Sequence, residues 1–119
     1  MATAVKRKLS GSTDGRQIKV VATASAGTTI HTAVAGTTAG TFDEIWIYAT
    51  NSHSSTVQLT IEFGGTTNPD DRILVAVPAG VGLVPIIPGL ILQNGTIVKA
   101  YGSVANVVFL SGHVNSITD

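Results

Sequence analysis

The chain has 119 residues and no cysteine, and its seven basic and seven acidic side chains give a formal net charge of zero. This length predicts one domain with a single core, and the missing thiols exclude disulfides, zinc–thiolate sites and cysteine nucleophiles. Charged residues make up only 12% of the chain, about half the usual share. A weakly charged surface of this kind favours association with other proteins.

The first segment, residues 1–15, lacks sustained periodicity and ends in turn formers, which indicates a flexible arm or an outlying strand. The first 19 residues carry five basic side chains against one acid, whereas residues 20–119 carry two basic and six acidic ones. The sequence therefore predicts a flexible basic N-terminal arm, 1–15, on a mildly acidic domain, 16–119. The side chains expected to contact a partner are Lys6, Arg7, Lys8 and Arg16.

The rest of the chain consists of short segments of β-branched residues separated by turn formers, which is typical of a sandwich or barrel. In Thr56–Phe63, apolar and polar residues alternate strictly, so we expect one dry face and one wet face. No segment has the periodicity and caps of a helix. The predicted strands are Gln17–Ala24, Thr28–Val34, Phe42–Thr50, Thr56–Phe63, Ile73–Val77, Leu83–Ile87, Leu90–Gln93, Thr96–Tyr101 and Val107–Asn115.

Two turn signals refine this pattern. Asn94-Gly95 is the preferred pair for a type I′ turn and predicts a hairpin. Pro85 lacks an amide proton, so its strand is expected at a sheet edge or at a bulge. The fold class predicted is all-β, an antiparallel two-sheet sandwich of about eight strands, and a jelly roll is one arrangement of that class.

The uncharged, mostly apolar run from Ile73 to Leu92 imitates a membrane span, but Pro78, Pro85 and Pro88 interrupt it. A lipid-exposed helix with these prolines would leave backbone groups unpaired. We therefore predict two buried strands with turns, and no membrane partner.

The sequence gives little indication of a catalytic site or a metal site. His31, His53 and His113 lack the spacing of a local metal motif, and no serine lies in a G-x-S-x-G elbow. We expect His31 on a strand surface, His53 in a turn and His113 at a strand end. Most acids fall at turns, strand starts or outward positions, and nothing marks Glu62 as buried. We predict no enzyme, no catalytic residue, no metal and no cofactor.

The residues also bear on two further classes of binding. Three clustered charges at Lys6–Lys8, without interleaved aromatic residues, give only a weak phosphate footprint, so no nucleic-acid partner is predicted. Trp46 and Tyr48 share one face of a strand. With the loop Gly64–Asp71, they could form a carbohydrate-binding surface. Packing between sheets or between subunits is the favoured alternative, because so few aromatic residues are present to fill a core.

Two long stretches in the later part of the chain follow a recognisable order of motifs. From Thr41 the sequence reads TFDEIWIYATNSHSSTVQLTIEFGGTTNPDD, and from Val77 it reads VPAGVGLVPIIPGLILQNGTIVKAYGSVANVVFLSGHVNSI. This order of an aromatic-rich strand, a GGTTxPDD loop, a VPAG turn and a final VNxI strand resembles small virion proteins of tailed bacteriophages, of the capsid decoration (cement) type. The resemblance covers Gly40–Ile117, about two thirds of the chain.

The resemblance implies a β-sandwich, often a homotrimer, that binds the major capsid protein on the outer surface of the head and stabilises contacts between capsomers. It implies a location on the virion capsid after assembly in the cytoplasm of the bacterial host. No functional residue of the family can be carried over by position. The alternatives are a fibre or carbohydrate-binding module that contacts the host, and a head-completion protein of the same virion.

Overall fold

In a computed structural model, which describes residues 2–119, the described chain forms nine β-strands and no helix. The predicted all-β, two-sheet antiparallel fold is therefore confirmed. No helix in this part of the chain is long and apolar enough to cross a membrane. The strands are β1 (Thr3–Lys8), β2 (Ile18–Lys19), β3 (Thr28–Thr32), β4 (Phe42–Asn51), β5 (Val57–Phe63), β6 (Arg72–Val77), β7 (Val84–Leu92), β8 (Ile97–Gly102) and β9 (Val108–Thr118).

The strand order is that of a jelly roll. One sheet has the order β1-β9-β4-β7, with β2 also paired to β9, and the other has the order β3-β8-β5-β6. β1 and β2 pair with successive parts of β9 and so act as one interrupted strand. From β2 onwards, consecutive strands alternate between the sheets, except at the β5–β6 hairpin. Such double-sheet closure is one way to limit exposed sheet edges.

The core lies between the two sheets. Every second residue of β4 points into it, and Ile45, Ile47 and Ala49 have no exposed surface. Val57, Leu59 and Ile61 of β5 face them from the other sheet and are equally buried. Burial of each large branched side chain stabilises the fold by about 1.5–3 kcal/mol, so the predicted dry face of β5 is confirmed.

The N-terminal segment forms an edge strand. β1 pairs with β9 without interruption from Thr3, opposite Thr118, to Lys8, opposite His113. Leu9, the next residue, is 1% exposed and belongs to the core. Of the two alternatives for this segment, the structure therefore shows an outlying strand and not a free arm, because its own sheet and core hold it. The division into functional units 1–15 and 16–119 stays a prediction.

The predicted hairpin at Asn94-Gly95 is wrong, although the turn is right. Both residues have positive φ, 63° and 66°, as a type I′ turn requires. The turn joins β7 to β8, which lie in different sheets and do not pair. Turn chemistry reverses the chain locally, but tertiary packing decides which strand each side of the turn joins.

The apolar run from Ile73 to Leu92 forms β6 and a single strand β7, where two short strands were predicted. Both are edge strands, and the register of β7 shifts near Pro85 and Pro88, as expected for residues without an amide proton. The predicted burial of this run is only partly right. Leu74 on the edge strand β6 is 61% exposed, and Leu83 in the loop between β6 and β7 is 58% exposed.

The predicted strand Gln17–Ala24 is reduced to the two residues of β2. Beyond β2, the amides of Val21 and Ala22 both donate to the hydroxyl of Thr28 instead of to a strand. This side-chain acceptor competes with the sheet ladder, so residues 21–27 form a loop.

Candidate partner-binding surface

The predicted basic residues lie along one side of β9. All six residues of β1 are exposed, and Lys6 and Lys8 lie opposite Asn115 and His113. Since directly paired residues share a face of the sheet, these two lysines lie on the outer face of the five-stranded sheet. Arg7 is opposite the buried Val114, and so lies on the inner side of the edge.

Arg16 is positioned by the turn before β2. Its amide donates to the carbonyl oxygen of Thr13, and its own carbonyl oxygen accepts a hydrogen bond of 2.6 Å from the buried Ser12 hydroxyl. Arg16 lines a shallow groove with Lys19 and Phe109. Because β1 and β2 flank the same side of β9, all the basic residues of the first 19 border one sheet. We call Lys6, Arg7, Lys8, Arg16 and Lys19 the basic edge.

The structure adds Lys19 to the four predicted residues. Lys19 pairs with Phe109 and is exposed, whereas its neighbour Ile18 is buried. The excess of positive charge over residues 1–19 already indicated Lys19 in the sequence. The sequence did not show the interrupted strand, β1 and β2, that places Lys19 at this edge.

An aromatic strip lies beside the basic edge. The rings of Trp46 and His113 are stacked, with centroids 6.3 Å apart and planes inclined by 12°. Tyr48 on β4 and Phe109 on β9 alternate with core residues and lie on the same outer face. We call Trp46, Tyr48, Phe109 and His113 the aromatic face.

The interpretation of Trp46 and Tyr48 as packing between the two sheets is therefore wrong. Ile45, Ile47 and Ala49 occupy the inward positions of β4, so strict alternation turns the two aromatic rings outward. An outward-facing position of the two rings is compatible with packing between subunits and with ligand binding.

Polar groups order the aromatic face. Oε1 of Glu44 accepts hydrogen bonds from the indole Nε1 of Trp46 at 2.7 Å and from the amide Nδ2 of Asn115 at 3.0 Å. These two hydrogen bonds hold the pKa of Glu44 below its ordinary value, and the bond from Asn115 has the larger effect. Both bonds favour the charged carboxylate. The indole is thus fixed by a charge-assisted hydrogen bond on a solvent-facing surface.

His113 connects the aromatic face to the basic edge. Partial burial lowers the pKa of His113, the positive charge of Lys6 lowers it further, and the Glu44 carboxylate opposes both. Lys6, His113 and Glu44 therefore belong to one electrostatic group. His113 lies within β9, and not at the predicted strand end.

The loop Gly64–Asp71 does not belong to this surface. It joins β5 to β6 in the four-stranded sheet, and the amide of Gly64 donates to the carbonyl oxygen of Ile97 on β8. Because Trp46 and Tyr48 face away from that sheet, the predicted combination of the loop with the two aromatic residues is wrong.

A buried pair, His31 and Asp43, was missed. Each residue is 4% exposed, so the expectation of a surface position for His31 is wrong. Nδ1 of His31 accepts a hydrogen bond from the amide of Ser10, which leaves Nε2 to donate to Oδ2 of Asp43 at 2.8 Å. With both nitrogens engaged, the ring connects β3, β4 and the segment that follows β1. It has no free lone pair with which to accept a proton from a serine hydroxyl.

Glu62 is a second missed buried acid. It has no exposed surface, and its carboxylate accepts hydrogen bonds from the hydroxyl of Ser25 and from the amide of Gly27 at 2.7 Å. Arg72 and Lys99 lie beside it on the neighbouring strands. The alternation of β5 placed Glu62 correctly on the outer face, but the loop that covers this face was not predicted.

His53 lies in the turn after β4, as predicted, and its amide donates to Oδ1 of Asn51. Within residues 2–119, no three histidine, aspartate or glutamate side chains come together as a metal-binding group. The comparisons with known proteins identify no relative: no family model, no curated protein and no solved structure matches this chain.

Proposed function

We propose that this chain is a non-catalytic virion protein of the decoration type, which binds the major capsid protein on the outer surface of a tailed-phage head. The observation that supports this most directly is the outer face of the five-stranded sheet, where the basic edge and the aromatic face adjoin. It is an open surface of outward-facing rings bordered by cations. Aromatic side chains and arginine are the residues most enriched in the energetic centres of protein interfaces.

The resemblance of Gly40–Ile117 to decoration proteins supports the same function. In the structure this stretch supplies β4 to β8 and β9 as far as Ile117, and therefore every residue of the aromatic face. The jelly-roll arrangement occurs in viral capsid domains and also in lectins. The fold is thus compatible with the role but does not select it.

Many copies of the protein on one capsid would bind stably even if each copy made only weak contacts. Exposed ion pairs contribute only about 0–1 kcal/mol each, so the basic edge alone would bind one capsid subunit weakly. Many copies, each linked to its neighbours, would gain affinity by avidity. Self-association, as a homotrimer, is part of the proposal. The exposed apolar side chains along β6 and the following loop, Leu74, Val81 and Leu83, are its suggested contacts.

The test is add-back of the protein to heads that lack it, followed by co-sedimentation and cryo-electron microscopy. We expect density for the sandwich at capsomer junctions and a higher temperature of head disruption. Deletion of residues 1–15 is a poor variant, because it removes Leu9 from the core. The double variant K6Q/K8Q leaves every core residue in place, although it removes the hydrogen bond from Nζ of Lys8 to the carbonyl oxygen of Ser12. It should weaken binding, whereas K99Q, which removes the same kind of charge from the other sheet, should not. Full binding by K6Q/K8Q, or no binding by the unaltered protein, would refute the proposal.

A carbohydrate-binding role is the second candidate, and the orientation of Trp46 favours it. The indole lies on the outer face with the polar groups of Glu44 and Asn115 beside it, an arrangement in which a sugar can stack and donate hydrogen bonds. A glycan array separates the two functions. Binding that is lost in W46A but kept in Y101A, an aromatic substitution on the other sheet, would favour a host-contacting module; an array without signal would exclude it.

A further inference from the structure

β1 presents an unoccupied backbone edge. It is the terminal strand of the five-stranded sheet, and all six of its residues are exposed. On its other side, none of the backbone hydrogen bonds found among the described residues involves residues 3–8. Every second residue of an edge strand points its amide and carbonyl groups away from the sheet, so β1 can accept another strand.

The opposite edge of the same sheet is protected. β7 contains Pro85 and Pro88, its register shifts twice against β4, and Gly89 has a φ of 83°. Prolines and bulges of this kind prevent regular pairing with a further strand. β1 has neither, and its register with β9 is continuous. Among the described strands of this sheet, the only regular free edge is therefore the basic one.

The charge of β1 selects the strand that can be added. Lys6 and Lys8 project on the outer face and Arg7 on the inner face, and none of the three forms an ion pair with an acid of the described chain. Lysines on an edge discourage pairing between like strands. Opposite charges placed directly across a sheet attract, so an acidic strand satisfies both the backbone and the side chains.

We propose that β1 binds an extended acidic segment of a partner protein by strand addition, with carboxylates at alternate positions facing Lys6 and Lys8. The remaining regular edge, β6, carries the side chains RILVAV and suits an apolar neighbour instead. The inference depends on the function proposed above only for the identity of the partner as a head protein, because the edge and its charge are properties of this chain alone.

The experiment uses the purified full chain and a labelled peptide in which glutamate alternates with threonine. We expect saturable binding, and amide hydrogen exchange within residues 3–8 that is slowed at least tenfold. One control peptide replaces glutamate with lysine, and another has proline at its centre. K6Q/K8Q should weaken binding about tenfold and K99Q should leave it unchanged. Binding should also weaken at high salt, since exposed charges are screened over about 8 Å at physiological ionic strength.

A backbone variant separates strand addition from simple charge attraction. Amides of successive residues point in opposite directions, so of A4P and V5P, neither of which changes a charge, one removes an outward amide and the other an amide bonded to β9. The variant that keeps its melting temperature identifies the outward amide, and it should lose the peptide. Three results of the peptide experiments would overturn the proposal: binding by this variant, binding of the proline-containing peptide, or slowed exchange at residues outside 3–8. Slowed exchange of residues 3–8 without peptide, at high protein concentration, would overturn it as well.

Failure of this inference can be told apart from failure of the decoration role. Peptide binding without binding to heads would leave strand addition intact and remove the head as the partner. Binding to heads with no peptide-dependent protection of β1 would support decoration and refute strand addition.

Discussion

The outer faces of the two sheets differ, although both sheets close over the same core. On the five-stranded sheet the outward residues Trp46 and Tyr48 are half-buried, and the ring of Trp46 stacks with that of His113 on the same sheet. On the four-stranded sheet the outward residues Thr60 and Glu62 are 4% and 0% exposed. The loop 21–27 crosses this second face, and its residues Ser25 and Gly27 donate to the Glu62 carboxylate.

This difference shows what alternation along a strand can decide. It assigns each side chain to the inner or the outer face, but it does not determine whether the outer face is wet. On one sheet the chain has covered the part of that face around Glu62 with its own loop, and on the other it has left the face open. The open face is the one that we propose to be functional.

The largest effect is expected where the covered face is disrupted, in the variant E62A. Without the carboxylate, the Ser25 hydroxyl and the Gly27 amide lose their acceptor, and unpaired buried groups cost about 1–3 kcal/mol each. We expect the free energy of unfolding to fall by about 3 kcal/mol, measured by urea denaturation. The control is Q58A, on the same strand and face but exposed, with a change within about 0.5 kcal/mol.

Equal stability of E62A and Q58A would contradict the comparison, because it would mean that the loop 21–27 does not depend on Glu62. The variant E62Q sharpens the test. Its amide keeps one oxygen acceptor and presents two donors, so its stability should lie between those of E62A and the unaltered protein.

A smaller effect is expected on the open face, in W46A. The indole is half-buried, so its loss removes roughly 100 Å² of apolar contact and should cost about 2 kcal/mol, less than the 3–5 kcal/mol typical of a core tryptophan. W46F retains one ring but loses the hydrogen bond to Glu44 and part of the contact area of the indole, so it should cost about 1 kcal/mol. Thermal denaturation measures both. A loss in W46A as large as that of a core residue would show that this face is also covered.

The sequence predicted which residues share a face of a strand well and the long-range contacts poorly. Alternation correctly put Ile45 and Ile47 on one face of β4 and Trp46 and Tyr48 on the other, but it did not decide which of the two faces is the inner one. It did not show that Glu62 is buried, because its hydrogen-bond donors, Ser25 and Gly27, lie 37 and 35 residues away in the chain. Such contacts depend on topology and have no local periodic signal.

The candidate site was predicted only in part, because its arrangement also depends on contacts between residues that are far apart in the chain. The cluster Lys6–Lys8 stood out by its composition, but its position beside His113 depends on pairing between the first and the last strands. The pair His31–Asp43 connects two different sheets. No spacing rule along the chain indicates such a pair.

The open face should also make stability depend on pH. The pKa of His113 is lowered below 6.5 and that of Glu44 below 4.5, so in both cases the unfolded chain takes up a proton at a higher pH than the folded one. Stability is then lost as the pH falls through these two ranges. Urea midpoints measured from pH 8 to pH 3 should decline in two steps. H113Q should reduce the first step and E44Q the second, and unchanged profiles in both variants would exclude the open face as their source.

The smallest expected effect is a shift in the titration of His113 itself, which can be followed by NMR. Lys6 lowers the pKa of His113 and Glu44 raises it, so the two neutralising variants act in opposite directions. K6Q should raise the pKa of His113 because it removes a repulsive positive charge, and E44Q should lower it because it removes an attractive negative one. K99Q, on the covered sheet, should leave it unchanged. Identical titrations in K6Q and the unaltered protein would mean that β1 does not bring Lys6 to His113, and the basic edge would then no longer adjoin the aromatic face.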